Sequence, residues 1–520
     1  MQPEFHSGNR LTLLDSGREY FPALLAAIAA AEHEIYLESY IFAADPVGEA
    51  VCAALCAAAR RGVVVNLTVD GFGARNFTAD FHPRLAAAGV RALVYRPELG
   101  RFRLKRHRLR RLHRKLAVID GRTAFVGGIN IVDDDNAPPE MRPRYDYAVR
   151  IEGPLLVDIH RAARHLWEIV TWVNFRRRFR FTPLRFPCCD VAGTQAAAFL
   201  VRDNLRHRNT ILNAYVEAIH AARHEILIAN AYFLPGLRFG RALHAAAQRG
   251  VKVTVLLQGK TDHPLLRYAT QAFYGAAMNA GIRIFEYEKS FMHAKVAVID
   301  GDWATVGSSN IDPFSLLLAR EANIVVRDAK FAGELRAHLD AAIAAGARAM
   351  NPAEIQRQAW PKRLLRWASY GLVRLLVGIA GYGGGPPPLA GRGSRQRDSA
   401  GALIAACRGI FASDQCAMAQ VQSSASGARA SSAGAACPRK RSARQSRRLA
   451  ASGASAGASV CFDHFSPAGL VATGRWAYPG VAWPRSRCNT IWRGVEASRS
   501  APRTTSVMPC AASSTTTANW

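Results

Sequence analysis

Two histidine–lysine pairs in this chain have the residue types and the spacing of a site for phosphoryl chemistry. One residue separates His113 from Lys115, and one residue separates His293 from Lys295. An imidazole can attack phosphorus or move a proton, and an ammonium group neutralises phosphate oxygens. Two such pairs would supply one histidine for each side of an in-line displacement.

The residues that follow each pair recur in the same order. Asp120 or Asp300 comes five residues after each lysine, and a glycine follows each of them. The repeated segment then ends in Gly-Gly-Ile-Asn at Asn130 and in Gly-Ser-Ser-Asn at Asn310. Glycine lets a backbone approach a ligand closely, and asparagine adds an amide donor. A lone His-x-Lys is usually a solvated strand face, but a doubled pattern with equal spacing makes that interpretation a poor one.

Hydrophobic periodicity indicates the elements that must position these residues. Residues 112–120 alternate as a strand, which puts His113 and Lys115 on one face and Leu116 and Val118 on the other. An Asp-Gly turn signal follows, and residues 123–126 are typical of the returning strand. Each histidine–lysine pair is therefore predicted to lie on a hairpin.

The hairpins belong to an internal repeat whose offset falls from 191 residues near the start to 188 and then 180 at the two motifs. Each copy contains two Ala-rich helices and a continuous Val/Leu run, predicted in turn at 20–32, 47–60 and 63–69, and at 209–223, 237–248 and 251–257. Gly62 and Gly250 are predicted to end the second helix of each copy. Apolar runs between helices favour strands covered on both faces, hence a mainly parallel sheet.

Charge indicates anionic partners and excludes a surface suited to basic ones. The 520 residues carry 68 Lys and Arg against 39 Asp and Glu, a net charge of +29 that favours nucleic acid, phosphate esters or anionic lipid. Residues 389–520 hold 17 Lys and Arg and 4 acidic residues, but only 16 Leu, Ile, Val and Phe, too few for a core. We interpret this low-complexity basic tail as a disordered arm or, the interpretation we favour, as a translation that left its reading frame after about residue 382.

The cysteine spacing and the N-terminal residues indicate the cellular compartment. Cys52 and Cys56 lie one helical turn apart and Cys188 and Cys189 are adjacent, which suits neither a disulfide framework nor a zinc site. No signal peptide is expected from the first seven residues, and the apolar run 20–31 is too short to span a bilayer. We expect a cytosolic protein that touches a membrane from the inside, with no cofactor and metal-free chemistry.

The doubled pattern His-x-Lys-x4-Asp-x6-Gly-[Gly/Ser]-x-Asn resembles the phospholipase D superfamily over about residues 8–345. Within it, Asp-Tyr-Ala-Val-Arg at 146–150 and Val-Gly-Ser-Ser-Asn-Ile-Asp-Pro at 306–313 are similar to bacterial cardiolipin synthases of the B type. The resemblance implies an α/β fold of two pseudo-symmetric phospholipase D-like α/β/α sandwich lobes, each with a mixed, mainly parallel sheet, at 8–190 and 195–350. Ala231 stands where that family usually has a proline, which leaves the local strand end open but not the chemistry.

The resemblance also implies a role for each motif residue. In the superfamily the two motifs meet at one site, where one histidine becomes a phosphohistidine and the other protonates the leaving alcohol and activates the incoming one. His113 is then the nucleophile and His293 the general acid/base, with the reverse assignment as an alternative. Asp120 and Asp300 are interpreted as structural members of the motif. The residues expected to hold the phosphate are Lys115, Lys295, Asn130, Asn310 and Ser308.

An orienting carboxylate is expected behind each histidine. Glu321 follows the second motif in the sequence, and Asp146 follows the first. We assign Glu321 to His293 and Asp146 to His113, so that each carboxylate serves the motif of its own lobe. The alternative for each is a charge at a strand end without a catalytic role.

Three segments are candidates for contact with a membrane surface. Residues 360–382 mix bases with Trp and Leu as an interfacial amphipathic helix does, although a helix packed on the body has a similar stripe. Residues 101–111, which lead directly to His113, and residues 176–180 are basic–aromatic clusters. Such clusters bind anionic headgroups or remain solvated loops.

The sequence therefore predicts a phosphatidyltransferase that acts on anionic phospholipids, bound peripherally to the cytoplasmic side of a bacterial cell membrane. By resemblance, the acceptor is typically the headgroup glycerol of phosphatidylglycerol. A phosphodiesterase that cuts nucleic acid is a rival with the same chemistry, because basic grooves also bind phosphate backbones. A non-catalytic nucleic-acid binder acting through the tail is a third hypothesis. We expect no nucleic-acid partner, and the oligomeric state stays open.

Overall fold

The computed structural model describes residues 3–97, 110–174, 187–203, 206–260, 264–317, 319–357 and 360–379. The predicted tail 389–520, residues 101–109 of the first basic cluster and the whole of the second at 176–180 lie outside the described residues. Two successive runs of strands and helices make up the described chain, and the second repeats the order of the first.

The first run has the following elements: β1 (His6–Asp15), α1 (Ser16–Ala29), β2 (Glu34–Ser39), α2 (Pro46–Arg60), β3 (Val64–Asp70), α3 (Phe77–Asp80), α4 (His82–Ala87), β4 (Arg91–Tyr95), β5 (Lys115–Ile119), β6 (Thr123–Gly127), β7 (Arg144–Tyr145), β8 (Tyr147–Glu152) and α5 (Leu156–Val173). The second run has these: β9 (Gln195–Arg202), α6 (Thr210–Ala221), β10 (Glu225–Asn230), α7 (Leu237–Gln248), β11 (Lys252–Gln258), α8 (Pro264–Asn279), β12 (Arg283–Tyr287), β13 (Phe291–Met292), β14 (Lys295–Ile299), β15 (Trp303–Gly307), α9 (Pro313–Leu317), β16 (Glu321–Arg327) and α10 (Ala329–Gly346). Three elements follow: β17 (Ala347–Ala349), α11 (Pro352–Gln356) and α12 (Trp360–Ile379).

The helices and strands of the repeat form where periodicity predicts them. The four predicted helices are α1, α2, α6 and α7, and the two apolar runs are β3 and β11. Gly62 and Gly250 follow α2 and α7 with φ of +94° and +88°, the left-handed conformation that ends a helix at little cost for glycine. Both predicted helix ends are confirmed.

A single fifteen-stranded sheet contains the long strands of the described residues. Its first half has the order β4-β3-β2-β5-β6-β8-β1, and its second half has the equivalent order β12-β11-β10-β14-β15-β16-β9, with β17 at the outer edge. The strands β1 and β9 pair antiparallel, so the two halves share one sheet.

The sheet is mixed, as predicted, but the expectation that it is mainly parallel is wrong. Parallel pairs are confined to β2-β3-β4 and β10-β11-β12. The motif hairpins β5–β6 and β14–β15 and their neighbours are antiparallel. A two-residue turn returns the chain in the opposite direction. Helices cover both faces of the sheet, so antiparallel strands there are as continuously apolar as parallel ones.

The packed core joins the two halves. Helices α5 and α10 bury Leu166 and Leu335 in one apolar cluster, which also contains Val149 from the first half and Val298 from the second. On the opposite face, α1 and α2 cover the first half and α6 and α7 cover the second. A layer of helices therefore lies on each side of the sheet, and one of these layers is shared.

Short pairings between the halves also form beside the motifs. The two-residue strand β7 pairs with β13 in parallel, which puts Tyr145 beside Met292. An isolated bridge puts Leu112 beside Arg320 in the equivalent way. Each motif histidine directly follows one of these bridged residues. Both histidines therefore lie at the junction between the two halves.

Candidate active site

The carboxylates of Asp120 and Asp300 tie the turns of the two motif hairpins to the chain segments that lead into β2 and β10. Asp120 and Gly121 have φ of +52° and +61°, and Asp300 and Gly301 have +51° and +74°, as a type I′ turn requires. Each carboxylate accepts three backbone N–H groups at 2.8 to 2.9 Å from the residues that lead into β2 or β10. This use of both carboxylates supports the structural interpretation.

The first histidine is held by the second half of the chain. His113 Nδ1 lies 3.0 Å from both carboxylate oxygens of Glu321. Its backbone N–H donates to the carbonyl oxygen of Arg320 at 2.9 Å. Ser308 donates its hydroxyl proton to Glu321 Oε2 at 2.6 Å. Since Nδ1 faces the carboxylate, Nε2 is the nitrogen left for a substrate.

The second histidine is held by the first half in the equivalent way. His293 Nδ1 lies 2.7 Å from Asp146 Oδ2, and its backbone N–H donates to the carbonyl oxygen of Tyr145 at 2.7 Å. Lys295 Nζ is 3.3 Å from the same Asp146 oxygen and 2.7 Å from His293 Nδ1. The side chains of His113 and His293 are 16% and 15% exposed, so both are mostly buried but still partly accessible.

The predicted assignment of carboxylates to histidines is wrong. Glu321 serves His113 and Asp146 serves His293, so each carboxylate acts across the junction and not within its own lobe. The reason is the strand pairing, which places the residue before each histidine beside the residue before the opposite carboxylate. Order along the chain does not reveal this neighbour, because it depends on how the two halves meet.

The electrostatics of the site favour neutral imidazoles and easily deprotonated lysines. Burial lowers the pKa of His113 more than Glu321 raises it. Burial and the adjacent Lys295 lower the pKa of His293 to about 3. Burial also lowers the pKa of Lys115 to about 7 and that of Lys295 to about 8.

Charge interactions in the site also reach across the junction. Burial raises the pKa of the Asp146 carboxyl, but the attraction of Lys295 and His293 brings it below its ordinary value. The lysine of each motif lowers the pKa of the histidine of the other motif. The two motifs therefore belong to one electrostatic site.

The three other predicted phosphate-binding residues are all buried near the motifs. Asn130 Oδ1 accepts the backbone N–H of Ile41 at 3.2 Å. Asn310 Oδ1 is a buried atom with no hydrogen-bond partner among the described residues. The Ser308 hydroxyl donates its hydrogen bond to Glu321, so Ser308 supports the carboxylate and has no second O–H to donate to a phosphate.

Sequence reasoning missed a pair of supports for the histidine segments. Asp70, at the end of β3, accepts the backbone N–H of Leu112 at 2.8 Å. Gln258, at the end of β11, accepts the backbone N–H of Met292 at 2.7 Å. Each therefore anchors the residue directly before a motif histidine. The repeat could have revealed these supports, since the two positions correspond at the offset of 188. They were passed over because one residue is an acid and the other an amide.

Aromatic and ionic neighbours of the first motif were also missed. The Tyr40 ring lies 4.9 Å from the His113 ring, and Lys115 Nζ lies 5.4 Å from the centre of the Tyr40 ring. Arg114 makes two hydrogen bonds of 2.7 and 2.6 Å to buried Glu38. In the second half both positions of this ion pair are alanine, which makes the two motifs distinguishable.

The fold and the site define a class: two-lobed α/β enzymes in which each lobe contributes a histidine–lysine pair to one site for phosphoryl transfer. The family model described as "Cardiolipin synthase, PLD-like domain" matches residues 24–167 and 215–343. The chain belongs to this cardiolipin synthase family of the phospholipase D superfamily, and it is therefore an enzyme of the phosphatidyltransferase class.

Individual relatives agree with this family. Cardiolipin synthase B of Escherichia coli is 38% identical over 370 residues, which cover 69% of this chain and 86% of the relative. The major cardiolipin synthase of Bacillus subtilis is 30% identical over 340 residues, covering 64% of this chain and 68% of the relative. The crystal structure of phosphatidylserine synthase from Haemophilus influenzae matches with a TM-score of 0.53 at 12% identity, covering 72% of this chain and 96% of that one. That likeness supports the fold.

Proposed function

We propose that this protein is a cardiolipin synthase that transfers a phosphatidyl group to phosphatidylglycerol, or to a related alcohol, through a phosphohistidine. The observation that carries the proposal is the crossed pairing, in which His113 is bonded to Glu321 and His293 to Asp146. This pairing draws both imidazoles and both motif lysines into one site, as a two-step displacement requires. The names of the relatives favour the lipid substrate.

In the first step, the Nε2 lone pair of His113 attacks the phosphorus of the donor lipid. The bond from phosphorus to the headgroup oxygen breaks, and His293 gives a proton to the departing alcohol. Glu321 supports this step because its carboxylate stabilises the positive charge that develops on the His113 ring. The lowered pKa of His113 keeps the attacking nitrogen unprotonated.

In the second step, His293 removes a proton from the hydroxyl group of the incoming phosphatidylglycerol. The resulting oxygen attacks phosphorus, the bond from phosphorus to His113 breaks, and cardiolipin leaves. Asp146 stabilises the protonated His293 that this step produces. A histidine that alternates between acid and base in this way returns the site to its starting state.

Substrate binding supplies the proton balance that the free protein lacks. In the free protein the pKa of His293 is about 3, in part because Lys295 lies beside it. A bound phosphodiester carries a negative charge that counters the charge of Lys295, so it raises the pKa of His293 and favours the protonated form that the first step needs. Lys115, Lys295 and the side-chain NH2 group of Asn310 are the donors that we expect to contact the phosphate oxygens.

A covalent trap tests the mechanism. We expect His293→Ala to form a stable adduct on His113 when the donor carries an activated leaving group such as p-nitrophenol, because such a group departs without a proton. His113→Ala should form no adduct, and His165→Ala, an exposed histidine on α5, should behave like the wild type. Peptide mass spectrometry locates the adduct, and an adduct on residue 293 in His113→Ala would support the reverse assignment.

A lipid assay tests the activity itself. Purified protein with phosphatidylglycerol and a chelator should yield cardiolipin and free glycerol, and both His113→Ala and His293→Ala should reduce the yield by at least about a thousandfold. Substantial cardiolipin from either variant would contradict the proposal. Cleavage of DNA without any transfer between lipids would favour the nuclease alternative.

The proposal also includes the location of the protein, which we expect to bind the cytoplasmic side of the membrane.

A further inference from the structure

Helix α12 is fixed to the body of the protein by one of its faces. Arg366 is buried and donates two hydrogen bonds, of 3.1 and 2.9 Å, to Gln271 Oε1 on α8. One turn further along, Ser369 is buried, and Val373 packs against Leu234 and Ala269 in a small apolar cluster. The buried positions recur every three or four residues, so the helix has one defined orientation.

The opposite face of α12 is apolar and exposed. Leu364, Trp367 and Leu375 are 61%, 63% and 53% exposed, and Leu365 and Leu372 also lie open. Elsewhere in the described residues at most two large exposed apolar side chains are neighbours, Trp172 and Val173 at the end of α5, whereas here five of them share one helix. A contiguous patch of this kind marks an interaction surface.

The charge of α12 indicates what covers this surface. The helix contains four basic residues, Lys362, Arg363, Arg366 and Arg374, and no acidic residue. Leucine and tryptophan on one face with bases along the same helix are the composition of helices that lie in the interface of an anionic bilayer. Within the part of the chain that the structure describes, no helix is long and apolar enough to cross a membrane.

We propose that the exposed face of α12 is a membrane-docking surface that inserts into the headgroup region of an anionic bilayer. The proposal rests on the proposed function, because an enzyme whose donor and acceptor are both lipids must work at a bilayer. Leu364, Trp367 and Leu375 enter the apolar boundary, and the net positive charge of the helix sequence favours an anionic bilayer over a neutral one. The fixed seat of the helix on α8 then holds the body at a constant orientation to the bilayer.

Vesicle flotation of the full chain tests the proposal. The double variant Trp367→Ser with Leu375→Ser should bind phosphatidylglycerol-containing vesicles at least about tenfold more weakly than the wild type, because each side chain loses its apolar burial. The control Val191→Ser removes an apolar side chain that is 76% exposed outside α12, and it should bind like the wild type. Leu364→Ser with Leu375→Ser is a second variant that keeps the packing of Trp367 against Tyr370.

Activity measured in two substrate forms separates docking from chemistry. Both double variants should lose activity on vesicles but keep activity on detergent-dispersed phosphatidylglycerol within about twofold, since micelles come to the site by diffusion. If both double variants float like the wild type, the proposal is overturned. Equal binding of the wild type to purely zwitterionic vesicles would also overturn it.

Two further outcomes concern the occupant of the surface and the proposed function. If the substitutions convert a dimer to a monomer in light scattering without changing vesicle binding, the face binds a second copy of the chain and the proposal is wrong. If the wild type floats through α12 but makes no cardiolipin in either substrate form, the proposed function fails while the docking surface stands.

Discussion

Glu321 and Asp146 hold their histidines by different geometries. Glu321 presents both oxygens to His113 and accepts a hydrogen bond from the Ser308 hydroxyl, whereas Asp146 gives one oxygen to His293 and shares it with Lys295. The residue equivalent to Ser308 in the first half is a glycine, where an added Cβ would lie 2.2 Å from Asp146 Oδ1. The shorter carboxylate therefore faces the smaller residue, and the two positions are not interchangeable.

The crossed pairing predicts which histidine responds to each carboxylate substitution. We expect Glu321→Gln to shift the ring-nitrogen resonances and the pKa of His113 and to leave those of His293 nearly unchanged. Asp146→Asn should have the opposite selectivity. Nitrogen-15 NMR of histidine-labelled protein measures both effects. A response of His293 to Glu321→Gln, without one from His113, would support pairing within each half.

The lowered lysine pKa values predict an alkaline limit to catalysis. Burial brings the pKa of Lys115 to about 7 and that of Lys295 to about 8, so above this range the free protein loses the positive charges that attract phosphate. We expect kcat/KM to fall between pH 7 and 9, by up to about tenfold per pH unit for each lysine. A kcat/KM that rises steadily over this range would contradict the assignment.

Deprotonation of Lys115, which we expect to lower activity, should make the folded protein more stable. Unfolded Lys115 keeps its proton up to about pH 10.5, so between pH 7 and 10.5 the unfolded state binds more protons than the folded state. This group therefore makes the free energy of unfolding increase with pH across that window. In urea unfolding, Lys115→Met should have a higher free energy of unfolding than the wild type. This difference should be larger at pH 7 than at pH 9.

At the scale of elements, substitution of a motif aspartate tests whether this residue holds the hairpin in place or takes part in the chemistry. Asp120→Ala leaves three backbone N–H groups without their carboxylate acceptor, so we expect it to lower the free energy of unfolding by about 2 kcal/mol. Activity per folded molecule on detergent-dispersed lipid should change less than threefold. Asp302→Ala, in the exposed part of the second turn, is the matched control and should be neutral within about 0.5 kcal/mol. Normal stability with lost activity in Asp120→Ala would indicate a chemical role.

Elements whose signals are local could be predicted from the sequence. The helices α2 and α7 end where Gly62 and Gly250 take a left-handed conformation, and the motif hairpins turn at their Asp-Gly pairs. The direction of strand pairing could not be predicted in the same way, because a strand covered on both faces is continuously apolar in either direction. This is why the expectation of a mainly parallel sheet was wrong.

The composition of the site could also be predicted, but not its internal pairing. The doubled spacing indicated His113, His293 and their lysines, because the types and the order recur. The partnership of Glu321 with His113 depends on contacts between residues about 200 positions apart, and no periodicity records these. Asp70 and Gln258 stayed hidden because two different residue types do the same work at equivalent places.

At the scale of the whole molecule, the shared core predicts that neither half works alone. Separate production of residues 1–180 and 181–520 should give inactive chains, because each half has a histidine without its carboxylate and an open side of the shared apolar cluster. Production of both pieces together should restore activity at least in part. Activity of one purified half, as a monomer in light scattering, would contradict this expectation.

The tail gives a second prediction at this scale. The motif residues and their carboxylates lie between positions 113 and 321, well before the low-complexity segment. We expect a chain that ends at residue 388 to keep cardiolipin formation within about twofold of the full chain. The full chain is the control, and a loss of more than tenfold would assign the tail a role in the reaction or in binding its substrate.

The exchange of carboxylates between the halves has a consequence for how such a protein changes over generations. A mutation of the orienting carboxylate in one repeat acts on the histidine of the other repeat, so the two repeats are coupled at these positions. Selection therefore acts on the two copies jointly, and a recombination event that replaced one half would have to bring a compatible carboxylate with it. The two copies of the motif therefore depend on each other for their function.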